Sequence, residues 1–121
     1  TLDTQGADSL STEEGRRLPL PHCIRGTDGW ELLPELRVSG ARLFEKGTFG
    51  SIALAEYARS FGEVVLCGVC TDICVVSNAL LIKAFSPEAR VCVVKDACAG
   101  VSPAVHEAAL RTMESCQVEI I

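Results

Sequence analysis

From about residue 41 onward, short runs of β-branched residues alternate with longer stretches that carry helix signals. The predicted strands are Arg42 to Glu45, Glu63 to Cys67, Val91 to Val94 and Val118 to Ile121. The predicted helices follow N-cap residues and run from Ser51 to about Ser60, from Thr71 or Asp72 to about Phe85, and from Ser102 to about Ser115. Crossover helices are what connect parallel neighbours in a sheet. The alternation therefore predicts an α/β fold of three layers, α/β/α, around a mostly parallel central sheet.

The first forty residues have a different composition, in which Gly, Pro, Asp and Ser recur. They predict a long ordered loop region, with a brief helical segment only at Trp30 to Leu36. The opening residues Thr1 to Thr4 are typical of the last residues of a strand, so we expect the first strand of the sheet to be absent from the chain. A length of 121 residues fits one domain over residues 1–121, N-terminally incomplete by this interpretation.

Composition excludes several classes of function. A net charge of -5 disfavours binding to nucleic acid or to anionic lipid, and the apolar runs are too short to cross a membrane. The seven cysteines are odd in number and several lie within apolar runs, unlike the cysteines of a secreted disulfide framework. We therefore expect a cytoplasmic protein.

Functional side chains in open parallel sheets lie just beyond the carboxyl ends of the strands. This rule selects Asp3, Lys46, the turn from Gly68 to Thr71 with the helix start at Cys74, and Asp96. A lone lysine is most often a solvated surface charge, so Lys46 gains a function only if it lies beside the sulfur of Cys74, where a cation would stabilise the thiolate.

Two of the cysteines fall where a thiolate would be stabilised. Cys74 lies in the first turn of a predicted helix, near unpaired amides and the positive end of the helix dipole, and Cys70 lies in the preceding turn. The spacing of Cys67, Cys70 and Cys74 also leaves open a structural zinc or iron–sulfur site, or a redox dithiol. Each of these is the weaker interpretation, because there is only one Cys-x-x-Cys pair and Cys67 ends a strand.

A third group of side chains could bind a divalent ion. Asp3 and His22 are suitable ligands, and Gln5 lies close to Asp3 in the sequence. Two ligands about twenty residues apart form a weak pattern, and a histidine between Pro21 and Cys23 is more often a hydrogen-bonded structural residue. Both interpretations stay open at this point.

The chain resembles the isochorismatase-like cysteine hydrolases, most closely their nicotinamidase-related branch. The most specific match is the nucleophile segment Gly68-Val69-Cys70-Thr71-Asp72-Ile73-Cys74-Val75. Four further segments match in the same order: Leu2-Asp3-Thr4, Pro21 to Thr27, Phe44 to Phe49, and Val94 to Gly100. The resemblance covers nearly the whole chain and implies an isochorismatase-like, Rossmann-like fold.

The resemblance implies a cysteine hydrolase that cleaves the C–N bond of a small, nicotinamide-like amide through a thioester intermediate and releases ammonia. Cys74 would be the nucleophile and Lys46 the cation that holds it as a thiolate. The backbone N–H groups of Cys70 and Cys74 would form the oxyanion hole, and the Val69–Cys70 peptide bond would be cis. The third member of the triad is an aspartate, which we expect upstream of Thr1, since no carboxylate of this chain matches its position.

The resemblance also implies a divalent ion, Zn, Fe or Mn, that holds the ring nitrogen of the substrate. Asp3 and His22 match two of its ligand positions, and Gln5 stands where the family has a histidine. Two other functions remain open: an isochorismatase-type vinyl ether hydrolase, and a catalytically silent relative that serves as a binding or assembly protein.

The predicted helix from Ile73 to Phe85 is apolar nearly all round. One face of a sheet cannot cover such a surface, so we expect a second copy of the chain to cover it in a homo-oligomer.

Overall fold

The computed structural model describes residues 1–121 and has the α/β class that the sequence predicts, with every strand pair parallel. The strands are β1 (Leu2–Asp3), β2 (Glu45–Lys46), β3 (Glu63–Val69), β4 (Arg90–Ala99) and β5 (Glu119–Ile120). The α-helices are α1 (Glu13–Arg17), α2 (Ile52–Ala58), α3 (Val76–Phe85) and α4 (Pro103–Ser115). The chain divides into two compact units, Thr1–Thr48 and Phe49–Ile121. A single domain over residues 1–121 stays a prediction.

In the first unit, β1 and β2 form a two-stranded sheet that pairs Leu2 with Glu45 and Asp3 with Lys46. The strand predicted at Arg42 to Glu45 is therefore shorter and lies closer to the carboxyl terminus, because the two residues of β1 pair with Glu45 and Lys46. Lys46 lies in the strand itself rather than after it.

The region predicted to be one long loop contains regular structure. The helix α1 begins after Thr12, whose side chain accepts a hydrogen bond from the Gly15 N–H at 3.0 Å, and Glu13 pairs with Arg16 and Arg17 at 2.7 Å each. Two 3-10 turns, Ser9–Ser11 and Pro34–Leu36, complete the unit. The N-cap and the charge pairs at i+3 and i+4 are local helix signals that the composition of the segment obscures.

In the second unit the sheet has the order β3-β4-β5. The strand predicted at Val91 to Val94 continues to Ala99, because the pairing of β3 with β4 resumes after a register shift between Leu66 and Gly68. Asp96 consequently lies inside β4 and is exposed, instead of following the strand as predicted.

The starts of α2 and α4 agree with prediction, whereas the predicted N-cap at Thr71 or Asp72 is wrong. Ser51 caps α2 by accepting a hydrogen bond from the Leu54 N–H, and Ser102 and Pro103 begin α4. Between β3 and α3 the chain forms a π-helical turn, Thr71–Val75. This turn already includes Thr71 and Asp72, and their side chains bond instead to His106 and to the Val101 N–H. The core of the unit consists of buried side chains from the helices and the sheet: Ala55, Ala58, Val75, Ala79, Ile82, Val91, Val93, Leu110, Met113 and Val118.

One buried amide ties the beginnings of two helices together. The Asn78 side chain, 5 % exposed, accepts a hydrogen bond from the Ser51 N–H at 2.9 Å. Its nitrogen donates to the carbonyl oxygens of Phe49 at 3.1 Å and Cys74 at 2.8 Å. Asn78 therefore satisfies backbone groups at the N-cap of α2 and in the π-helical turn.

The helix α3 is better covered than its sequence suggests. Asn78, Ala79 and Ile82 are buried, Leu80 and Leu81 are half-buried, and Ala84 is its exposed residue. The burial of this helix therefore gives no added support to the predicted homo-oligomer, which stays a prediction. None of the helices has the length and apolar character that crossing a membrane would require.

Candidate active site

Parallel pairing of β1 with β2 brings two of the predicted site residues together. The Lys46 Nζ lies 3.2 Å from Asp3 Oδ1 and 3.2 Å from the Thr48 carbonyl oxygen. Lys46 is 6 % exposed, so the interpretation of this lysine as a solvated surface charge is wrong. A buried ammonium needs such oxygen partners, because burial without them is strongly unfavourable.

Around Asp3 the first unit gathers more polar side chains than the sequence indicates. Gln5, 6 % exposed, donates through its Nε2 to Asp3 Oδ1 at 3.4 Å and to Glu14 Oε1 at 3.3 Å. Two carboxylates thus lie close together, and the amide of Gln5 donates to both while the ammonium of Lys46 contacts Asp3. With one ammonium against two carboxylates, one negative charge remains for a further cation to balance.

His22 faces the same two carboxylates. Its Nε2 lies 3.5 Å from Asp3 Oδ2 and 3.6 Å from Glu14 Oε1, while its Nδ1 lies 2.8 Å from the Leu20 carbonyl oxygen. A carbonyl oxygen only accepts, so Nδ1 carries a hydrogen and the lone pair of a neutral ring is on Nε2. Metal-binding histidines are held in this way, with the second ring nitrogen donating to a carbonyl or carboxylate.

These residues fit a divalent ion. Ligand atoms of Asp3, Glu14 and His22 all lie within 4.8 Å of one another. One imidazole nitrogen with two carboxylate oxygens is a donor set that suits zinc, manganese or ferrous iron. Gln5, at the position where the resemblance implies a histidine, instead uses its amide nitrogen to orient the two carboxylates.

Glu14 is a candidate ligand that the sequence analysis missed. It lies in α1, inside the segment predicted to be a loop, and its carboxylate meets Asp3 and His22 only through the folding of the first unit. The available signal was an acidic residue in the first turn of a capped helix, nine residues after Gln5.

In the second unit, Cys74 lies in the π-helical turn at the carboxyl end of β3 and is half-buried. The Val69–Cys70 peptide bond is cis, as the resemblance implies. The Cys70 carbonyl oxygen accepts hydrogen bonds from the Ile73 and Val75 N–H groups at 3.1 Å each. Single π-helical turns are rare and are frequent at functional sites.

Three cysteines lie in surroundings that disfavour the thiolate. Burial raises the pKa of the Cys70 thiol, and the nearby Asp72 and Cys74 raise it further. Burial also raises the pKa values of Cys92 and Cys98, which keeps both as neutral thiols. None of the seven cysteines forms a disulfide, and Cys67, Cys70 and Cys74 do not gather into a metal-binding group, so the alternative of a structural zinc or iron–sulfur site at these residues is wrong.

Two side-chain hydrogen bonds join the π-helical turn to the first turn of α4 and to the residues just before it. The Thr71 Oγ1 lies 2.8 Å from His106 Nδ1, and Asp72 Oδ1 accepts a hydrogen bond from the Val101 N–H at 3.0 Å. No local sequence pattern marks His106, because its partner Thr71 is 35 residues away along the chain.

Comparisons with known proteins agree with these observations. A curated relative, the uncharacterized isochorismatase family protein PncA of Bacillus subtilis (strain 168), is 34 % identical over an alignment of 107 residues that covers 78 % of this chain. The chain spans 57 % of the length of that relative.

Solved structures show the same fold. The crystal structure of the nicotinamidase/pyrazinamidase PncA from Bacillus subtilis superposes with a TM-score of 0.77 and 28 % identity, covering 98 % of this chain and 71 % of that one. The pyrazinamidase of Pyrococcus horikoshii in complex with zinc gives a TM-score of 0.72 and 30 % identity, covering 99 % and 72 %. The family model of the isochorismatase domain matches residues 1–121. This chain therefore belongs to the isochorismatase family.

Proposed function

We propose that this protein hydrolyses the C–N bond of a small, nicotinamide-like amide and releases ammonia, with Cys74 as the nucleophile. The observation that carries the proposal is the position of Cys74 in the helical turn that follows β3. Amide groups at the start of a helical segment and the dipole of its peptide units favour a thiolate there. The nicotinamidase and pyrazinamidase neighbours support amide hydrolysis as the reaction class.

The proposed reaction has two steps. The thiolate of Cys74 attacks the amide carbon, and the tetrahedral intermediate collapses to a thioester as ammonia leaves with a proton from an acid. Water then cleaves the thioester, which gives the carboxylic acid and restores the thiol. The N–H groups of Cys70 and Cys74 are proposed to stabilise the oxyanion, and Lys46 the thiolate. Asp3 is engaged with Lys46 and Gln5, so it is not proposed as the acid.

Asp3, Glu14 and His22 are proposed to hold a divalent ion, zinc, iron or manganese. When bound, such an ion supplies a Lewis-acid contact for a ring nitrogen of the substrate. In the zinc-containing neighbour the metal is part of the complex, which supports this proposal. The geometry of the three side chains supports the proposal independently. Their ligand atoms converge although residue 5 is a glutamine and not a histidine.

Metal content tests this site directly. After incubation with Mn²⁺ or Zn²⁺ and dialysis, we expect the full-length protein to retain about one ion per chain. Inductively coupled plasma mass spectrometry measures the metal content. His22→Ala and Glu14→Ala should bind the ion at least about tenfold more weakly. The matched control is Glu13→Ala, which removes an exposed carboxylate paired with Arg16 and Arg17. Equal metal content in His22→Ala and in the unmodified protein would contradict the proposed site.

The activity is tested with a panel of small amides that includes nicotinamide and pyrazinamide. We expect ammonia and the corresponding acid in equal amounts, and loss of both after alkylation of the protein with iodoacetamide. The same panel includes isochorismate, because turnover of this vinyl ether without turnover of any amide would replace the proposal by the vinyl ether alternative. Turnover of none of these compounds would favour a silent binding or assembly protein.

We also propose that the protein is a cytoplasmic homo-oligomer. The odd number of cysteines, none of them in a disulfide, supports a reducing compartment. Light scattering on the full-length protein measures the assembly, and the mass of a single chain would contradict the oligomer.

A further inference from the structure

A hydrogen bond between distant segments joins the nucleophile turn to α4. Thr71 is the first residue of the π-helical turn and is 0 % exposed, and its Oγ1 lies 2.8 Å from Nδ1 of the half-buried His106. His106 occupies the first turn of α4, where its own N–H donates to the Ser102 carbonyl oxygen at 3.0 Å. The imidazole is thus fixed by a helix and aimed at a buried hydroxyl.

The backbone of Gly100 and Val101, just before α4, packs closely against the π-helical turn. A Cβ added at Gly100 would lie 2.8 Å from Asp72 Oδ1 and 2.9 Å from His106 Cβ, closer than side-chain atoms pack. Asp72 Oδ1 also accepts the Val101 N–H at 3.0 Å. Two consecutive side chains of the turn, Thr71 and Asp72, are therefore fixed from outside their own helix.

Fixing Thr71 also fixes the peptide groups next to it. Thr71 follows Cys70 directly, and the Cys70 carbonyl oxygen closes the turn by accepting from the Ile73 and Val75 N–H groups. Rotation of the Thr71 backbone tilts the peptide plane between Cys70 and Thr71, which carries the Cys70 carbonyl, and changes these hydrogen bonds. The Cys70 N–H belongs to the preceding peptide but shares the Cys70 Cα with this plane, so we expect the tilt to redirect it as well. Oxyanion donors stabilise the developing charge best when their N–H groups point at it, so small tilts of this kind lower the rate.

We propose that His106 is a positioning residue that acts through its hydrogen bond with Thr71 to keep the Cys70 and Cys74 N–H groups aimed at the oxyanion. This inference rests on the proposed amide hydrolysis. It assigns a role in that reaction to α4, a helix that contributes no reacting group, and it makes the first turn of α4 part of the machinery of the site.

The test compares two substitutions at one position. His106→Leu removes the ring nitrogen and keeps a similar volume, whereas His106→Asn can place an amide oxygen or nitrogen near the position of Nδ1. We expect His106→Leu to lower kcat about 10- to 100-fold with KM within about twofold of the unmodified protein. His106→Asn should recover most of the lost kcat. Thermal unfolding followed by circular dichroism gives the temperature range in which each variant is folded, and kcat is measured within that range.

A double-mutant cycle identifies the route through Thr71. Thr71→Val keeps the shape of the side chain and removes its hydroxyl, so we expect it to lower kcat as much as His106→Leu does. The double variant should lose little more than either single variant, because both remove the same hydrogen bond. The control is Leu110→Ala, which removes core packing from α4 at a 6 % exposed residue and should lower stability without a comparable loss of kcat.

The outcomes separate this inference from the proposed function. If the unmodified protein hydrolyses no amide, both are overturned. If it is active and His106→Leu keeps its kcat, the positioning role alone is overturned. The positioning role is also overturned if the losses of kcat in the double-mutant cycle are additive, or if folded His106→Asn recovers no kcat. A rise in KM in place of a fall in kcat, or an equal loss of kcat in Leu110→Ala, would overturn it as well.

Discussion

Replacing Cys74 with serine in the full-length protein is expected to reduce ammonia release from the amide substrate at least about a thousandfold. A hydroxyl at this position is far less ionised than a thiol and is a weaker nucleophile without an adjacent base. Because the side chain is only half-buried and serine is similar in size, the fold should be retained. Ammonia is measured by a coupled assay, and intact-protein mass spectrometry should detect an acyl adduct on the unmodified protein and none on Cys74→Ser.

The matched control is Cys67→Ser, which changes an exposed cysteine of β3, seven residues earlier in the chain. We expect this variant to keep the activity of the unmodified protein and its adduct. Turnover that survives Cys74→Ser would remove the thioester mechanism, and loss of activity in Cys67→Ser would point to a different cysteine.

Replacing Lys46 with methionine is expected to lower both activity and stability. Its ammonium lies 3.2 Å from Asp3 Oδ1 and is nearly inaccessible to solvent, so the substitution leaves a carboxylate without its cation. Breaking a buried pair in this way costs about 3–5 kcal/mol, and if Lys46 stabilises the thiolate as proposed, its loss should lower kcat at least about a hundredfold. Urea unfolding measures the stability and the amide assay measures kcat.

A second substitution separates the two effects of Lys46→Met. Asp3→Asn in the Lys46→Met background removes the uncompensated charge, so we expect it to recover a large part of the stability. Because Asp3 is also a proposed ligand of the divalent ion, the kcat of the double variant is compared with that of Asp3→Asn alone, and we expect it to be much lower. Equal kcat in the two variants would show that Lys46 acts only as a structural partner of Asp3.

The rule that functional groups lie at the carboxyl ends of parallel strands selected Asp3 and Lys46, and the structure brings these two side chains to 3.2 Å of each other. It works because their register depends only on the pairing of two short neighbouring strands. The start of α4 was equally predictable, since Ser102 and Pro103 are local signals. In each case a few adjacent residues determine the structure.

Residues whose roles depend on distant partners could not be predicted in this way. Glu14 was missed because its short helix lies in a segment whose composition suggests a loop, and His106 because its hydrogen bond joins it to Thr71 across 35 residues. Asp96 was misplaced for a related reason, since β4 continues past it only through renewed pairing with β3 beyond a register shift. Tertiary contacts of this kind leave no local sequence pattern.

The side chain of Asn78 couples the opening of α2 to the opening of the π-helical turn in the second unit. Because one amide bonds to the Ser51 N–H and to the Cys74 carbonyl oxygen, an opening fluctuation that frees the beginning of α2 also breaks a contact of the proposed nucleophile. The two helix beginnings should therefore open together and share one hydrogen-exchange rate. Thermal fraying at a surface helix would then interrupt the chemistry of Cys74 for as long as the helix stays open.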